Sequence, residues 1–318
     1  MVDFNVNLWY NVIVLGGNTM NEIIRKELNF TTLQQEYLDY IDVAPKTVET
    51  YNIALRQFVN YLRDNGIKEP TRQDVIAFRE ELRENHSVST VNSYLIAIRN
   101  FFRFLQYNGI YKNITENVKS LKDTELHKRE ALSQEECRKV ISCAKNLREK
   151  ALVTLTLVCG LRANEIVNIR LSDFKYENGN NVLYILGKGR DSKQDYVIIP
   201  DSLLELLKEY VREYAIRDYL FVSTSNHNAY GKLNTCTVRR MINTMFERVG
   251  IKRDTVTFHS LRHSMATLSI ENGLDIREVS KALRHKSIKT TEVYLHDLEM
   301  KNNKCSEVMT QNVLGGIF

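Results

Sequence analysis

The spacing of apolar residues limits this chain to a mainly helical fold. Apolar side chains recur every three to four residues through most of the sequence, as on the buried face of an amphipathic helix. The 318 residues include only 3 prolines and 13 glycines, so few turns interrupt these runs. Between Asn181 and Pro200 the period changes to two, and two alternating segments flank Gly187–Ser192. We therefore expect a mainly α protein with a small antiparallel β-sheet in its C-terminal domain.

A polar stretch without periodicity divides the helical sequence into two parts. Residues 118–131 carry mostly polar and charged side chains and are predicted to link two domains. Directly afterwards, Ser133 and Glu136 have the spacing of a capping box, which predicts that a helix begins there. The sequence thus predicts an N-terminal extension (1–30), a helical domain (31–117), a linker (118–131), a larger domain (132–298) and a C-terminal tail (299–318).

Three amphipathic runs in the first domain predict helices that begin near Thr47, Pro70 and Ser89. The third run carries a stripe of apolar and aromatic side chains that includes Phe101 and Phe102. We interpret these aromatics as core residues, and stacking on nucleic-acid bases is the alternative.

The sequence has no feature of a membrane or secreted protein. Five cysteines, an odd number without a Cys-x-x-Cys pair, indicate reduced thiols. No apolar run approaches the roughly 20 residues needed to cross a bilayer. The apolar segment Leu8–Leu15 is not preceded by Lys or Arg, so it does not have the form of a signal peptide. We expect a cytoplasmic protein that does not contact a membrane.

Basic side chains are concentrated in one part of the second domain. The chain has 44 Lys and Arg against 39 Asp and Glu, a net charge of +5. The excess lies mainly in residues 231–290 and suggests a polyanionic partner. On charge alone, a solvated basic face explains the excess equally well.

Two short polar blocks in the second domain are candidates for chemistry. The first contains Arg162 and Glu165, which alone would be an ion pair at a helix surface. The second contains His259, Arg262 and His263. The two histidines have the spacing of a zinc motif, but no Glu follows His259 and Arg262 places a cation beside the would-be ligands. The sequence therefore disfavours a metal site.

A third block runs from His285 to Tyr294 and is accompanied by Lys188 in the predicted hairpin turn. Tyr294 is one of 16 tyrosines and, taken alone, is compatible with a packed helix residue. The segment Gly187-Lys-Gly189 is compatible with a plain turn, and the full pattern of a phosphate-binding loop is absent. Each block thus has a structural explanation when it stands alone.

Together, the blocks resemble the tyrosine recombinase (phage integrase) family, of the two-domain type seen in Xer-like recombinases and in transposon- or plasmid-encoded resolvases. The resemblance covers most of residues 132–298, and residues 31–116 resemble the helical core-binding domain of that family. Its polar signature appears here in the family's order: Arg162, Glu165, Lys188, His259, Arg262, His285 and Tyr294.

The resemblance implies a site-specific DNA recombinase that needs no metal, ATP or other cofactor. Arg162 and Arg262 would bind the non-bridging oxygens of a phosphodiester. Tyr294 would attack the phosphorus and form a covalent 3′-phosphotyrosyl intermediate. His259 would take or return the tyrosine proton, and Lys188 would protonate the departing 5′-oxygen.

Three neighbouring positions complete the site that the resemblance implies. His285 would hydrogen-bond the scissile phosphate, and Glu165 would orient the residues around it. The family usually has Gly directly before this histidine, whereas the chain has Arg284. A bulkier cation at this position would either contact DNA or crowd the helix turn.

The resemblance also implies partners. The two domains would clamp double-stranded DNA at a specific site, and four identical protomers would exchange strands through a Holliday junction. The tail 299–318 would dock on a neighbouring protomer, or alternatively on its own domain. The expected phosphate contacts of the basic cluster are Lys232, Arg239, Arg240, Arg284, Lys286 and Lys289.

Two other functions remain open from the sequence. A type IB topoisomerase shares the tyrosine chemistry but rejoins the same strand. A DNA-binding regulator without catalysis would keep the fold and the basic surface, although all the catalytic positions are filled here. The sequence does not identify the target DNA, nor does it choose between integration, inversion and resolution.

Overall fold

A computed structural model describes residues 28–122, 130–187, 192–224, 229–285 and 287–294. The chain divides between residues 125 and 126 into two compact units. The first unit contains α1 (Phe30–Tyr40), α2 (Pro45–Asp64), α3 (Arg72–Asn85) and α4 (Val88–Tyr107). The second contains α5 (Gln134–Ser142), α6 (Leu147–Cys159), α7 (Ala163–Ile166), β1 (Phe174–Glu177), β2 (Asn180–Ile185), β3 (Asp195–Ile198), α8 (Asp201–Glu213), α9 (Thr235–Arg248), α10 (Phe258–Glu271) and α11 (Ile276–Ala282). The predicted mainly α fold with a small antiparallel sheet is confirmed.

Helices α1, α3 and α4 of the first unit begin where a side chain accepts from free backbone N–H groups. Asp74 accepts from the backbone N–H of Thr71 at 2.6 Å and so caps α3. The start of α4 differs from the prediction, because Ser87 rather than Ser89 is its N-cap. Ser87 has extended backbone angles, and its hydroxyl accepts from the Thr90 N–H at 3.3 Å. Helix α2 begins two residues before the predicted Thr47, at Pro45, whose ring suits a first helical turn.

Aromatic side chains form the core of the first unit. Phe58, Phe101 and Phe102 are fully buried, and Phe78 is nearly so. Their rings meet at an angle, as in the pair Phe58–Phe78 with ring centroids 5.2 Å apart. The interpretation of Phe101 and Phe102 as core residues is confirmed, because buried rings cannot stack on bases.

The segment 117–119, where the predicted linker begins, is held by three arginines of the first unit. Arg72, Arg79 and Arg99 each donate to a backbone carbonyl in this segment, with N···O distances of 3.2, 2.8 and 2.8 Å respectively. We call these three residues the linker arginines. Val118 between them is 5% exposed and packs into the core of the unit. The described part of the predicted linker therefore starts as an anchored segment.

The sheet of the second unit has three antiparallel strands in the order β1-β2-β3. Leu183 on β2 pairs with Phe174 on β1 and with Val197 on β3. Strands β2 and β3 are the predicted hairpin, and β1 is an additional strand. Three of the four β1 residues are exposed, so it carries too little apolar periodicity to be recognised in the sequence. Within the described ranges, no helix is both long enough and apolar enough to cross a membrane.

Candidate active site

A glycine turn at the end of α6 brings the backbone close to α10 and α11. Gly160 has φ +56°, the left-handed conformation that favours glycine. A Cβ at this position would lie 2.8 Å from Cδ2 of Leu283 and 3.8 Å from Cγ of Arg262. Only a residue without a side chain fits here, and its carbonyl becomes an acceptor inside the second unit.

Arg162 and Glu165 stand at the start of α7. The backbone N–H of Arg162 donates to Oε2 of Glu165 at 2.8 Å, and its Nη1 donates to Oε1 at 2.7 Å. Glu165 is 2% exposed, whereas the Arg162 side chain is 31% exposed. The carboxylate of Glu165 is therefore the buried member of this pair, and Arg162 is the member that can face a ligand.

Arg262 lies on α10 and is 5% exposed. Its Nη1 donates to the Gly160 carbonyl and its Nη2 to the Leu283 carbonyl, both at 2.5 Å. Burial lowers the pKa of Arg262 to about 9, and the positive charges of Arg162 and Arg284 act in the same direction. Arg262 thus stays charged at neutral pH while its orientation is fixed by two backbone groups.

His285 follows the end of α11 and faces the same cluster. Its Nδ1 lies 2.8 Å from Oγ1 of Thr291, which is fully buried. Burial lowers the pKa of His285 to about 4, and the positive charges of Arg262, Arg162 and Arg284 add to this effect. His285 is therefore a neutral imidazole near pH 7, suited to hydrogen bonding rather than to carrying charge.

Tyr294 lies in the helical segment 289–294 and is 8% exposed. It packs with Val279 and Leu283 in a small apolar cluster. The ring of His263 meets it edge to face, with centroids 5.1 Å apart. Its phenol is also close enough to Arg262 to influence the pKa of that guanidinium. Tyrosine, arginines and His285 therefore meet within one unit.

Arg284 points into the cluster instead of out toward solvent. Its side chain is 7% exposed, and its Nη2 lies 3.0 Å from Oε2 of Glu165. This placement departs from the expectation of a surface DNA contact, because Glu165 and nearby carbonyls occupy the guanidinium. Neither alternative given for this position, a DNA contact or a crowded helix turn, included the ion pair with Glu165.

The structure describes His259 but not Lys188. His259 is half-buried on α10, three residues before Arg262 and therefore on the same side of the helix. Lys188 belongs to the connection between β2 and β3 and lies outside the described residues. The structure places His259 one helical turn before Arg262 on α10, and the roles of His259 and Lys188 stay predictions.

The predicted DNA-contacting residues other than Arg284 lie on exposed surface where they are described. Arg239 and Arg240 are exposed on α9, and Lys289 is exposed at the start of segment 289–294. Lys232 is exposed, with its Nζ 2.6 Å from Oδ1 of Asn168. Lys286 and the tail 299–318 lie outside the described residues.

The charges in this cluster do not cancel among the described residues. Arg162, Arg262 and Arg284 surround a single carboxylate, Glu165, and His285 is neutral near pH 7. Buried positive charge is costly unless an anion compensates it. The arrangement is thus preorganised for an anion whose oxygens accept several N–H groups, as a phosphodiester does.

Several features of the site were not predicted from the sequence. The carbonyls of Gly160 and Leu283 orient Arg262, and backbone acceptors leave no trace in residue identity. The contact of Thr291 with His285 had one available signal, the paired threonines before Tyr294. The packing of His263 on Tyr294 was missed because the sequence does not show that two residues 31 positions apart bring their rings together.

Comparison with family models gives two matches. The model described as "Phage integrase family" matches residues 130–301. The model described as "Phage integrase, N-terminal SAM-like domain" matches residues 35–109. The two matched segments correspond to the two units.

Named relatives and solved structures agree with the family models. Tyrosine recombinase XerA of Thermococcus onnurineus is 31% identical over 268 residues, covering 82% of this chain and 89% of the relative. XerH site-specific recombinase, in a post-cleavage complex with palindromic difH, superposes with a TM-score of 0.70 at 22% identity, covering 88% and 85% of the two chains. A lambda integrase tetramer on a Holliday junction gives 0.69 at 19% identity, covering 85% and 78%. These two structures have the same fold as this chain.

Proposed function

The chain belongs to the phage integrase family of tyrosine recombinases, and from that premise we propose how its residues cut and rejoin DNA. It is a site-specific recombinase, and the resemblance noted in the sequence is confirmed. The observation that carries the proposal is the meeting of Arg162, Arg262 and His285 with Tyr294 in one positively charged cluster. The steps below follow from that arrangement.

The cluster binds the scissile phosphate. Arg162 and Arg262 donate N–H groups to its non-bridging oxygens, where negative charge grows as the phosphorus is attacked. Both are held in place before the substrate arrives, Arg162 by Glu165 and Arg262 by two carbonyls. His285 contributes a neutral N–H: when the Thr291 hydroxyl donates to Nδ1, the ring proton is on Nε2 and can donate to a phosphate oxygen.

Tyr294 supplies the nucleophile. Its phenolic oxygen attacks the phosphorus, the bond to the 5′-oxygen breaks, and a 3′-phosphotyrosyl bond forms in its place. His259 accepts the phenolic proton, and Lys188 gives a proton to the departing 5′-oxygen. In the reverse step, a 5′-hydroxyl attacks the phosphotyrosine and Tyr294 recovers its proton. Each step replaces one phosphodiester linkage by another, so the cycle consumes no ATP.

Strand exchange requires that the attacking 5′-hydroxyl come from a second duplex. The named relatives are recombinases, and lambda integrase has been seen as a tetramer on a Holliday junction. We propose the same assembly here: four protomers on two synapsed specific sites, exchanging strands in pairs. The tail 299–318 is proposed to contact a neighbouring protomer.

The exposed basic residues of the second unit are proposed to bind DNA outside the scissile phosphate. Arg239 and Arg240 on α9, with Lys232, Lys286 and Lys289, would contact backbone phosphates and hold the site in register. The helices of the first unit are proposed to contact the same duplex. These contacts would make affinity depend strongly on salt.

Two assays on the same DNA substrate test the proposal: formation of the covalent adduct and joining of strands. A duplex selected from a random-sequence pool by binding to the protein is nicked next to the cleavage point, so that the covalent intermediate accumulates. We expect an adduct with the wild-type protein, none with Tyr294→Phe, and joining of strands between two labelled duplexes. An adduct without joining, together with relaxation of supercoiled DNA, would identify a topoisomerase. DNA binding without any adduct would identify a regulator and refute the proposal.

A further inference from the structure

We propose that Arg284 is a positioning residue for strand cleavage. It acts through Glu165, holding that carboxylate so that Arg162 and the turn before His285 keep their reactive arrangement. The inference rests on the proposed function, because it concerns the rate of the cleavage step. It differs from the sequence-based expectation, in which Arg284 contacts DNA.

The contacts of Arg284 connect separate parts of the cluster. Nη2 lies 3.0 Å from Oε2 of Glu165 and 3.4 Å from the Gly160 carbonyl. Nη1 donates to the carbonyl of Ala282 at 2.6 Å. One guanidinium thus joins the end of α11, the glycine turn after α6 and the start of α7.

These partners also hold the two arginines that bind phosphate. Oε2 of Glu165 accepts from the Arg162 backbone, and Oε1 accepts from the Arg162 guanidinium. The Gly160 carbonyl accepts from Arg262. Arg284 therefore shares one acceptor with each of them, and its loss would change the environment of both.

The backbone conformation of Arg284 indicates that its side-chain contacts offset a local strain. Its φ is +57°, the left-handed region where a residue other than glycine is sterically disfavoured. Glycine would relieve that strain but would leave the Glu165 carboxylate without its second guanidinium. A strained arginine with a buried ion pair to Glu165 is explained if the ion pair stabilises this turn, which leads directly into His285.

The surroundings of Arg284 argue against direct contact with DNA. Arg262 is as buried as Arg284, but it donates to neutral carbonyls. Arg284 instead is paired with the carboxylate of Glu165, and its side chain is 7% exposed, compared with 31% for Arg162, the other partner of that carboxylate. Burial also lowers the pKa of Arg284, and the nearby carboxylate of Glu165 opposes that effect. The positive charge of Arg284 is thus compensated by the carboxylate of Glu165, and the influence of Arg284 on the substrate is indirect.

A double-mutant cycle measures this coupling. Single-turnover cleavage of the nicked duplex is followed at saturating protein for wild type, Arg284→Gly, Glu165→Gln and the double variant. Affinity is measured separately, with Tyr294→Phe added to each protein so that no cleavage occurs. We expect Arg284→Gly to slow cleavage about tenfold while the Kd stays within about twofold, since the group positions and does not bind. In the Glu165→Gln background the same change should slow cleavage less than about twofold, because its partner is already altered.

Chemical rescue separates positioning from a folding defect. Millimolar methylguanidinium should raise the cleavage rate of Arg284→Gly at least about threefold by occupying the space beside Glu165. It should not raise the cleavage rate of the wild type. Arg284→Lys keeps one cation near Glu165 but lacks the fork that also reaches Gly160, so we expect an intermediate rate. Thermal unfolding of each variant shows whether it is folded.

Three results would overturn the inference. They are a weakened, less salt-dependent affinity with unchanged cleavage at saturation, additive effects of the two substitutions, or a faster Arg284→Gly enzyme. If Arg284→Gly does not fold, the same cycle is measured with Arg284→Lys, Glu165→Gln and their double variant, which decides between coupling and additivity. Failure of the proposed function is distinguishable, since the wild-type protein would then form no adduct at all, and the inference would fall with it.

Discussion

The two units each contain a group of three arginines, and the groups differ in what surrounds them. The linker arginines donate to the carbonyls of residues 117–119 at the edge of the first unit. The site arginines of the second unit (Arg162, Arg262 and Arg284) converge on one buried carboxylate and on three backbone carbonyls. The first group fastens a peptide segment. The second accumulates positive charge around a place where a phosphate can bind.

This difference shows what distinguishes a functional arginine from a structural one. Both groups use their N–H donors on backbone oxygens, so hydrogen bonding to the backbone does not separate them. The degree of burial separates Arg262 from the linker arginines: it is 5% exposed, and its pKa falls to about 9 beside two other arginines. In the linker group, burial and the positive charges of Arg103 and Arg79 also lower the pKa of Arg99, but by less. An excess of positive charge away from water costs stability and is relieved when an anion binds.

The largest expected effect compares equivalent substitutions in the two groups. Arg262→Lys keeps the charge but loses the planar fork that donates to two carbonyls and is proposed to bind the phosphate, so we expect cleavage at saturating DNA to slow by about 10²–10³-fold. Arg79→Lys in the linker group is the matched control and should change the rate less than about threefold. Single-turnover cleavage of a nicked duplex measures both. Equal losses would show that the two groups do not differ in function.

A smaller effect concerns the exposed basic residues. If Arg239 and Arg240 each neutralise one phosphate, the double change to Gln should make the slope of log affinity against log salt less negative by about 2. Cleavage at saturation should stay near the wild-type rate, because neither side chain belongs to the buried cluster. Titrations of labelled DNA at several salt concentrations give the slope, and an unchanged slope would remove these residues from the interface.

The smallest effect concerns pH. The pKa of His285 lies near 4 in the folded protein, below its ordinary value of 6.5, so between these values the unfolded chain binds a proton that the folded one does not. This contribution to stability is present above pH 6.5 and is lost as the pH falls toward 4. Because His285 is only half-buried, we expect about 1 kcal/mol, or roughly 2–4 °C in Tm, between pH 7 and 5.

His285→Gln serves as the reference for that measurement, since the amide does not titrate in this range. Thermal unfolding at both pH values should show a larger fall in Tm for the wild type than for the variant. Equal falls would mean that His285 is not kept neutral by its surroundings.

The sequence predicted the fold class and supplied the candidate site residues, because both depend on residue identity at fixed spacing. Helical periodicity located α2, α3 and α4 of the first unit but not α1, and the alternating segments located β2 and β3. The first residues of the helices were predicted less accurately than the helices themselves. Ser87 and Ser89 are equally good N-caps by residue identity, and the backbone angles at Ser87 decide between them. Strand β1 was missed because it is short and mostly exposed.

The geometry around Glu165 could not be predicted from the sequence. Whether Arg284 turns outward to DNA or inward to Glu165 depends on a left-handed backbone at one residue and on the proximity of three elements. The acceptors that orient Arg262 are backbone carbonyls, which every residue has. Sequence patterns identify the groups that do chemistry, and tertiary contacts determine what orients them.

The central claim is that the site arginines direct the attack of Tyr294 on a DNA phosphate. The most direct test is to digest the covalent adduct with trypsin and nuclease and to locate the attached nucleotide by mass spectrometry. The account predicts a nucleotide linked through its 3′-phosphate to Tyr294, in a yield that falls strongly in Arg262→Lys. Attachment to another residue, or linkage through a 5′-phosphate, would contradict it.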